Sequence, residues 1–167
     1  MASRDYEEFI AALNAHGVRY LIVGAHAVAF HARPRATKDL DILVDPTSSN
    51  AGKMLDALRD FFGGADLGYT VEDVIDPQWI IQLGVAPVRI DVLSHLPECP
   101  DFPVLWESRI EARFGSVTAY YLGLDDLIYA KEVSGRLQDR ADARVLRRAK
   151  SRARTTKSSR RDRKKGR

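Results

Sequence analysis

The sequence predicts an α+β fold, in which a mixed β-sheet carries helices mainly on one face. Helix-like and strand-like segments alternate over residues 1–61, and two candidate hairpins and a final group of helices follow. Only about six residues separate a short helix that ends near Ala32 from a strand that begins at Asp39, which is too few for a simple parallel Rossmann unit. A mixed sheet therefore fits this order of elements.

Three helices and two strands are predicted in the first 61 residues. Phe9, Ile10 and Leu13 give the first helix an apolar face at helical spacing, and Pro34 is expected to end the second. The predicted elements are a helix from Ser3 to Gly17, strand one from Arg19 to Val23, a short helix from Gly24 to Ala32, strand two from Asp39 to Val44, and a helix that Ser48 or Ser49 caps and that ends at Phe61.

Short strands, hairpins and helices are predicted after residue 61. Runs of β-forming residues on either side of a glycine-containing turn predict two hairpins, and Gly135 is expected to divide the last helical region. In order, the sequence predicts a short strand over 67–70, a helical turn over 71–75, a hairpin of 79–83 with 88–93, a helix over 101–109, a hairpin of 110–114 with 117–121, and helices over 124–134 and 138–150.

The composition indicates one globular domain in a reducing compartment. The 167 residues are 45% hydrophobic and 29% charged, which is usual for proteins that bury one substantial core. The sequence contains no run of about 18 apolar residues, which argues against a membrane span, and the N-terminus lacks the pattern of a signal peptide. Because Cys99 is the single cysteine, no intrachain disulfide can form, and we expect a cytoplasmic protein.

The charge is divided between a mildly acidic body, residues 1–148, and a basic tail, residues 149–167. The tail contains ten basic residues and one acidic residue, whereas the body contains 16 basic and 22 acidic residues. Because it lacks aromatic residues and aliphatic periodicity, the tail is predicted to be disordered in isolation. It suits the phosphate backbone of RNA or DNA, and a solubilising extension is the alternative. The candidate nucleic-acid contacts are Lys150, Arg152, Arg154, Arg160, Arg161, Arg163, Lys164 and Lys165.

Three aspartates in two predicted strands are the candidate functional residues. Asp39 and Asp41 lie at positions i and i+2 of strand two, so their side chains point to the same face, about 6–7 Å apart along the strand. If the strand that contains Asp91 lies beside strand two, its carboxylate joins this pair. Three carboxylates on one face are typical of a site for one or two Mg²⁺ ions. The alternative is three exposed aspartates on a solvated sheet face.

The order of these residues resembles the nucleotidyltransferase superfamily of the DNA polymerase β type. In that superfamily an apolar residue, a glycine and a second small residue are followed by Asp-x-Asp in a strand and by a later acid. Here Gly24, the segment 39–41 and Asp91 occupy those places. The second small residue is usually glycine or serine, and in this chain it is Ala25, which retains the backbone N–H but lacks the serine hydroxyl.

The closer resemblance is to bacterial minimal nucleotidyltransferases and to abortive-infection-type nucleotidyltransferase toxins. These proteins commonly carry a TKDLDI-like segment, as residues 37–42 do here, and a C-terminal lysine followed by Gly-Arg-x-x-Asp. In this chain the lysine is Lys131 and the segment is 135–139, with Asp142 three residues further on. The resemblance covers about residues 1–148, and it implies a polymerase β-like nucleotidyltransferase fold.

The resemblance also implies a mechanism. Asp39, Asp41 and Asp91 would bind Mg²⁺ and act as the catalytic residues, with Asp91 lowering the pKa of the attacking hydroxyl or accepting its proton. The implied nucleotide contacts are Gly24, Ala25, Arg35, Lys38 and Lys131. Alternatively, Lys131 is a solvent-facing helical lysine, Arg35 and Lys38 are ordinary loop charges, and Asp139 and Asp142 form caps or salt bridges.

The histidines and tryptophans are interpreted mainly as structural residues. His26 is a candidate neighbour of the nucleotide, whereas His16 and His31 are interpreted as structural. His95 is placed in a loop or along the cleft. Trp79 and Trp106 are expected in the core.

Two functions are compatible with these features. The first is Mg²⁺-dependent transfer of a nucleoside monophosphate from ATP or another NTP to an acceptor hydroxyl. The acceptor can be the 3′ end of an RNA such as tRNA, a partner protein in a toxin–antitoxin system, or a small molecule such as an aminoglycoside. The second is a non-catalytic, antitoxin-like binding module that retains the fold. The presence of all three aspartates favours the enzyme.

Overall fold

The computed structural model describes residues 4–34, 37–85 and 88–165. Within them the elements are, in chain order, α1 (Arg4–Ala15), β1 (Tyr20–Ile22), α2 (Gly24–His31), β2 (Asp39–Val44), α3 (Ser48–Phe61), α4 (Val71–Ile75), β3 (Ile80–Val85), β4 (Val88–Leu93), α5 (Phe102–Glu107), β5 (Ile110–Phe114), β6 (Val117–Tyr121), α6 (Leu124–Val133) and α7 (Leu137–Lys165). None of the described helices has the length and apolar character needed to cross a membrane.

The six strands form one mixed sheet in the order β3-β4-β2-β1-β6-β5. Strand β1 pairs antiparallel with β2 and parallel with β6, while β2 pairs parallel with β4. Both predicted hairpins, β3–β4 and β5–β6, are present as antiparallel pairs. The α+β class and the mixed sheet predicted from the sequence are confirmed.

Strand β4 lies directly beside β2, as the predicted carboxylate cluster requires. In the parallel register Asp39 is opposite Arg89 and Asp41 is opposite Asp91. Residues that face each other across a strand pair project to the same side of the sheet. The pairing of two strands that are far apart in sequence therefore brings all three aspartates to one face.

Helix α1 packs on the sheet and supports the ends of both acid-bearing strands. Phe9, Ile10 and Leu13 are completely buried in the core, each stabilising the fold by roughly 1.5–3 kcal/mol. From the same helix the Tyr6 hydroxyl lies 2.6 Å from the carbonyl oxygen of Lys38 and 3.2 Å from that of Arg89. Tyr6 thereby ties the beginnings of β2 and β4 together under the carboxylates.

Two local predictions differ from the structure. Residues 67–70 form no strand. The last of them, Thr70, caps α4: its hydroxyl accepts a hydrogen bond from the Asp73 N–H, and the Asp73 carboxylate accepts one from the Thr70 N–H. Helix α3 is capped by Thr47 and not by Ser48 or Ser49, because the Thr47 hydroxyl accepts a hydrogen bond from the Asn50 N–H at 3.3 Å. Because Thr47, Ser48 and Ser49 are consecutive and each can cap a helix, the sequence does not determine which of them is the cap.

Helix α7 extends further than the predicted helix over 138–150. The described backbone is helical to Lys165, where the sequence analysis expects a tail without structure of its own. No glycine or proline interrupts the chain between Gly135 and Gly166, and arginine, lysine and alanine are good helix formers. A lack of apolar residues limits packing against the body but does not prevent a helix. The division at residue 148 stays a prediction.

The Thr47 cap makes a testable contribution to stability. Thr47→Ala removes the acceptor for the Asn50 N–H and is expected to lower the free energy of unfolding by about 1 kcal/mol. Ser49→Ala, at an exposed position inside the helix, is the matched control and should change it by less than about 0.5 kcal/mol. Urea denaturation measures both variants. An equal effect of the two substitutions would contradict the assignment of the cap.

Candidate active site

The three aspartates lie in a cleft of about 810 Å³ between the sheet and the helices α6 and α7. The cleft brings together six of the eight residues that the sequence predicts to be catalytic, metal-binding or nucleotide-binding. Its walls include Gly24 and Ala25 from the start of α2, Lys131 from α6, and Asp39, Asp41 and Asp91 from the sheet.

The first residue of α2, Gly24, lies against the carboxylate of Asp41. Gly24 has a φ of +59°, a left-handed conformation that strains other residues. A Cβ atom at this position would lie only 1.9 Å from Asp41 Oδ2. The backbone N–H of Ala25 hydrogen-bonds to the same carboxylate. The glycine is therefore needed for close approach as well as for its φ. The contact of the Ala25 N–H with phosphate stays a prediction.

Asp41 is the most strongly perturbed carboxylate of the cleft. Burial raises its pKa to about 6, and the neighbouring charges of Asp91 and Asp39 act in the same direction. The charge of Lys131 and the Ala25 N–H oppose this shift but do not cancel it. Without a cation beside it, Asp41 is held ionised at neutral pH at a cost in stability.

Asp39 and Asp91 share one cation, the guanidinium of Arg89. Arg89 Nη2 lies 3.1 Å from Asp39 Oδ2 and 3.2 Å from Asp91 Oδ2. Burial raises the pKa of Asp91, an effect that Arg89 opposes and Asp39 reinforces. The other oxygen of Asp91, Oδ1, and the Arg89 Nε are both buried without a hydrogen-bond partner. Arg89 is a site residue that was not predicted from the sequence, although its position two residues before Asp91 was an available signal.

The chemistry of this site fits a divalent cation. Three carboxylates gather on one face, burial and the neighbouring negative charges raise the pKa of Asp41, and Asp91 Oδ1 is buried and unpaired. Hard oxygen ligands of this kind are those that Mg²⁺ prefers. In the described ranges no three His, Cys, Asp or Glu side chains form a ready-made metal cluster. Mg²⁺ binding stays a prediction.

Lys131 is held by two aspartates of α7 and is not solvent-facing. Its Nζ lies 2.5 Å from Asp139 Oδ1 and 3.3 Å from Asp142 Oδ2, and only 14% of its side chain is exposed. Burial favours a higher pKa for Asp139, but hydrogen bonds from Lys131 and Ser134 outweigh it, so that the pKa is lowered. Arg136 adds a further ion pair to Asp139 from an exposed position. The segment 135–139 thus fixes Lys131 at the cleft wall.

Removing the Lys131 charge is expected to destabilise the protein. Lys131→Met leaves Asp139 and Asp142 buried without their main cation, which should lower the free energy of unfolding by about 2 kcal/mol. Arg136→Gln removes a cation whose side chain is 81% exposed, and it should cost less than about 0.5 kcal/mol. Urea denaturation of both variants tests this difference. Equal decreases in the free energy of unfolding would contradict the claim that the buried ion pairs of Lys131 stabilise the protein more than the exposed one of Arg136.

The remaining predicted nucleotide contacts are less central. The Lys38 side chain is exposed and is not among the residues that line the cleft. Arg35 lies outside the described residues. His26 packs between the rings of Tyr6 and Phe114, at 5.5 and 5.3 Å, which places it beside the core instead of in the cleft.

Two of the histidine and tryptophan residues considered in the sequence line the cleft. His95 is one of them, in agreement with one of its two interpretations. Trp79 is the other, and the prediction that it belongs to the core is wrong because 54% of its surface is exposed. It precedes β3, an edge strand, so one of its sides lacks neighbours. Trp106, by contrast, is partly buried against the core, as predicted.

The basic residues of the tail are only partly described. Lys150 forms an ion pair with Asp125 of α6 at 2.6 Å, and Arg152 and Arg154 are exposed on α7. The side chains of five further candidates lie outside the described residues, namely Arg160, Arg161, Arg163, Lys164 and Lys165. Nucleic-acid binding by this segment stays a prediction.

Comparisons with known proteins agree with this geometry. A family described as "Nucleotidyltransferase of unknown function (DUF6036)" matches residues 4–147. No curated protein matches the chain. Among solved structures, ANT(2″)-Ia in complex with adenylyl-2″-tobramycin is similar at 14% identity and a TM-score of 0.54 over 95% of both chains. The nucleotidyltransferase candidate TM1012 from Thermotoga maritima shares 16% identity and a TM-score of 0.51, over 89% of this chain and 94% of that chain. At these identities the likeness concerns the fold.

Proposed function

This chain belongs to the DUF6036 nucleotidyltransferase family, and from that premise we propose that it transfers a nucleoside monophosphate from an NTP to an acceptor hydroxyl in a Mg²⁺-dependent reaction. One observation carries the proposal. The parallel register of β2 and β4 sets Asp91 directly beside Asp41, and Asp41 is in turn held against Gly24, the first residue of α2.

The three aspartates would hold Mg²⁺. When bound there, the ion supplies positive charge that offsets the charge of the triphosphate and of the leaving pyrophosphate. Asp41 is suited to this role because burial and its neighbours raise its pKa, so that a cation relieves an existing repulsion. The Ala25 N–H fixes the direction of its carboxylate before any ligand arrives.

Asp91 is the proposed general base. Its Oδ1 is buried and has no hydrogen-bond partner, so it is available to accept the proton of an acceptor hydroxyl. The hydroxyl oxygen then bonds to the α-phosphorus, the bond from that phosphorus to the bridging oxygen of the β-phosphate breaks, and pyrophosphate leaves. Lys131 at the cleft wall is the proposed contact of the β- and γ-phosphates.

The acceptor we propose is an RNA 3′ end or a hydroxyl of a partner protein, as in a toxin–antitoxin pair. A small molecule is the third option, and it is supported by the similar structure that contains adenylyl-2″-tobramycin. The basic stretch of α7 supports RNA, since exposed arginines such as Arg152 and Arg154 suit a phosphate backbone.

The transfer itself is tested with NTPs labelled at the α-phosphate. The protein is incubated with each NTP and Mg²⁺ in the presence of total RNA, a cell protein extract, or tobramycin. We expect label on one acceptor class and no label with the Asp39→Ala/Asp41→Ala double variant. Labelling by both proteins would contradict the roles proposed for Asp39 and Asp41. No label from either protein, together with the absence of metal-dependent NTP binding, would favour the antitoxin-like binding module.

The role of the tail is tested separately. We expect removal of residues 150–167 to weaken RNA binding at low salt while leaving NTP binding unchanged, because the cleft lies outside this segment. Unchanged RNA binding by the truncated protein would contradict the proposed tether. Filter binding at several salt concentrations distinguishes the two results.

A further inference from the structure

Arg89 lies inside the cluster of carboxylates that is proposed to bind Mg²⁺. It faces Asp39 across the β2–β4 pair and lies two residues before Asp91 on β4, so all three side chains share one face. Both of its ion pairs come from a single nitrogen, Nη2, which lies 3.1 Å from Asp39 and 3.2 Å from Asp91. In this arrangement Arg89 is the counter-ion that joins the two strands.

A divalent cation and Arg89 cannot occupy this place together. The nitrogen Nη2 already fills the space between Asp39 Oδ2 and Asp91 Oδ2, where an ion bound to the same two oxygens would lie. Two cations at that separation also repel each other. Cation binding through these two Oδ2 atoms therefore requires the guanidinium to move.

Two features of the Arg89 guanidinium favour binding to a phosphate after it leaves the aspartates. Its Nε is buried without a partner, so the present contacts do not use the two-pronged geometry in which arginine binds best. Its side chain is 39% exposed and lines the cleft, which leaves room for rotation towards a ligand there. A triphosphate offers the paired oxygens that this geometry fits.

We propose that Arg89 couples cation binding to nucleotide binding: it holds Asp39 and Asp91 in the empty site, yields them to the divalent cation, and then binds the triphosphate. This inference rests on the proposed function. It makes Arg89 a nucleotide-binding residue that also keeps the cation affinity low until a nucleotide is present. Because linkage is reciprocal, the nucleotide raises cation affinity by the same factor by which the cation raises nucleotide affinity.

The experiment measures Mn²⁺ binding by electron paramagnetic resonance, with and without an NTP analogue whose α,β-bridge is methylene. Wild type is compared with Arg89→Met, Arg89→Lys and the control Arg59→Met, which removes an exposed helical ion pair outside the cleft. We expect Arg89→Met to bind Mn²⁺ alone about tenfold more tightly than wild type does. The factor by which the analogue raises Mn²⁺ affinity should be about tenfold smaller in this variant. The control should behave as wild type.

Arg89→Lys separates the two roles and protects against a folding defect in the methionine variant. A lysine ammonium can still lie between Asp39 and Asp91, but it cannot form the fork to a phosphate. We therefore expect Mn²⁺ affinity close to wild type and weaker binding of the analogue.

The outcomes are distinguishable. Unchanged or weaker Mn²⁺ binding by Arg89→Met would overturn the inference, and so would wild-type binding of the analogue by both variants. If no protein binds the analogue at any Mn²⁺ concentration, the proposed function itself fails and the coupling fails with it.

Discussion

Replacement of Asp41 by asparagine is expected to abolish nucleotidyl transfer and, in the absence of divalent cations, to stabilise the fold. The variant removes a carboxylate that would hold Mg²⁺, and we expect transfer to fall by about 10³-fold or more. The same carboxylate is repelled by Asp91 and Asp39 and is largely buried. Its neutral replacement should therefore fold more favourably at neutral pH.

The stability effect depends on pH with a defined sign. The pKa of Asp41 rises from 3.8 to about 6 on folding, so the folded protein binds this proton more tightly than the unfolded chain does. In wild type Asp41 should contribute about 2 kcal/mol to the free energy of unfolding at pH 4, and this contribution should be lost by pH 7; in Asp41→Asn it should be absent. Urea denaturation in chelator at both pH values measures the difference.

Asp45→Asn, directly after β2, is the control for Asp41→Asn. Asp45 is also buried, but it is paired with Arg19 at 2.7 Å and does not line the cleft. Its replacement should lower the free energy of unfolding without changing the chemistry of transfer. An Asp41→Asn variant that retains activity, or that is less stable than wild type at pH 7, would contradict the account of the cleft.

Gly24→Ala is expected to have the second-largest effect. The new Cβ would lie 1.9 Å from Asp41 Oδ2, and the backbone φ of +59° is already unfavourable for alanine. Strain and overlap together should lower the free energy of unfolding by about 3–5 kcal/mol and displace Asp41 from its position, so that activity is lost as well.

Gly17→Ala isolates the contribution of the backbone. Gly17 has a similar φ of +63°, but nothing lies within 4 Å of the added Cβ. We expect a loss of only about 1–2 kcal/mol and full activity. Equal losses for the two variants in thermal and urea unfolding would show that contact with Asp41 is not the reason for glycine at position 24.

Most of the secondary structure follows from local patterns in the sequence. Strand β2 begins at Asp39 and ends at Val44 as predicted, because its alternation of polar and apolar residues has few competing interpretations. The position of Asp39 and Asp41 on one face follows from the same alternation. The hairpins follow from glycine-containing turns between β-forming runs.

The features that were missed depend on contacts between distant parts of the chain. The bridging role of Arg89 requires the β2–β4 register, which no local pattern specifies. The burial of Lys131 depends on how α7 packs on α6, since Asp139 and Asp142 must reach across to it. Trp79 has a residue type that usually lies in a core, but its place next to an edge strand leaves it exposed.

The most direct test of the central claim is equilibrium binding of a non-reactive NTP analogue to wild type and to Asp91→Asn, with Mg²⁺ and with chelator. The claim is that β2 and β4 together form a cation-dependent nucleotide site. It predicts binding by wild type that requires Mg²⁺ and that weakens by about tenfold or more in Asp91→Asn. Binding of equal strength with and without Mg²⁺, or unaffected by the substitution, would contradict it.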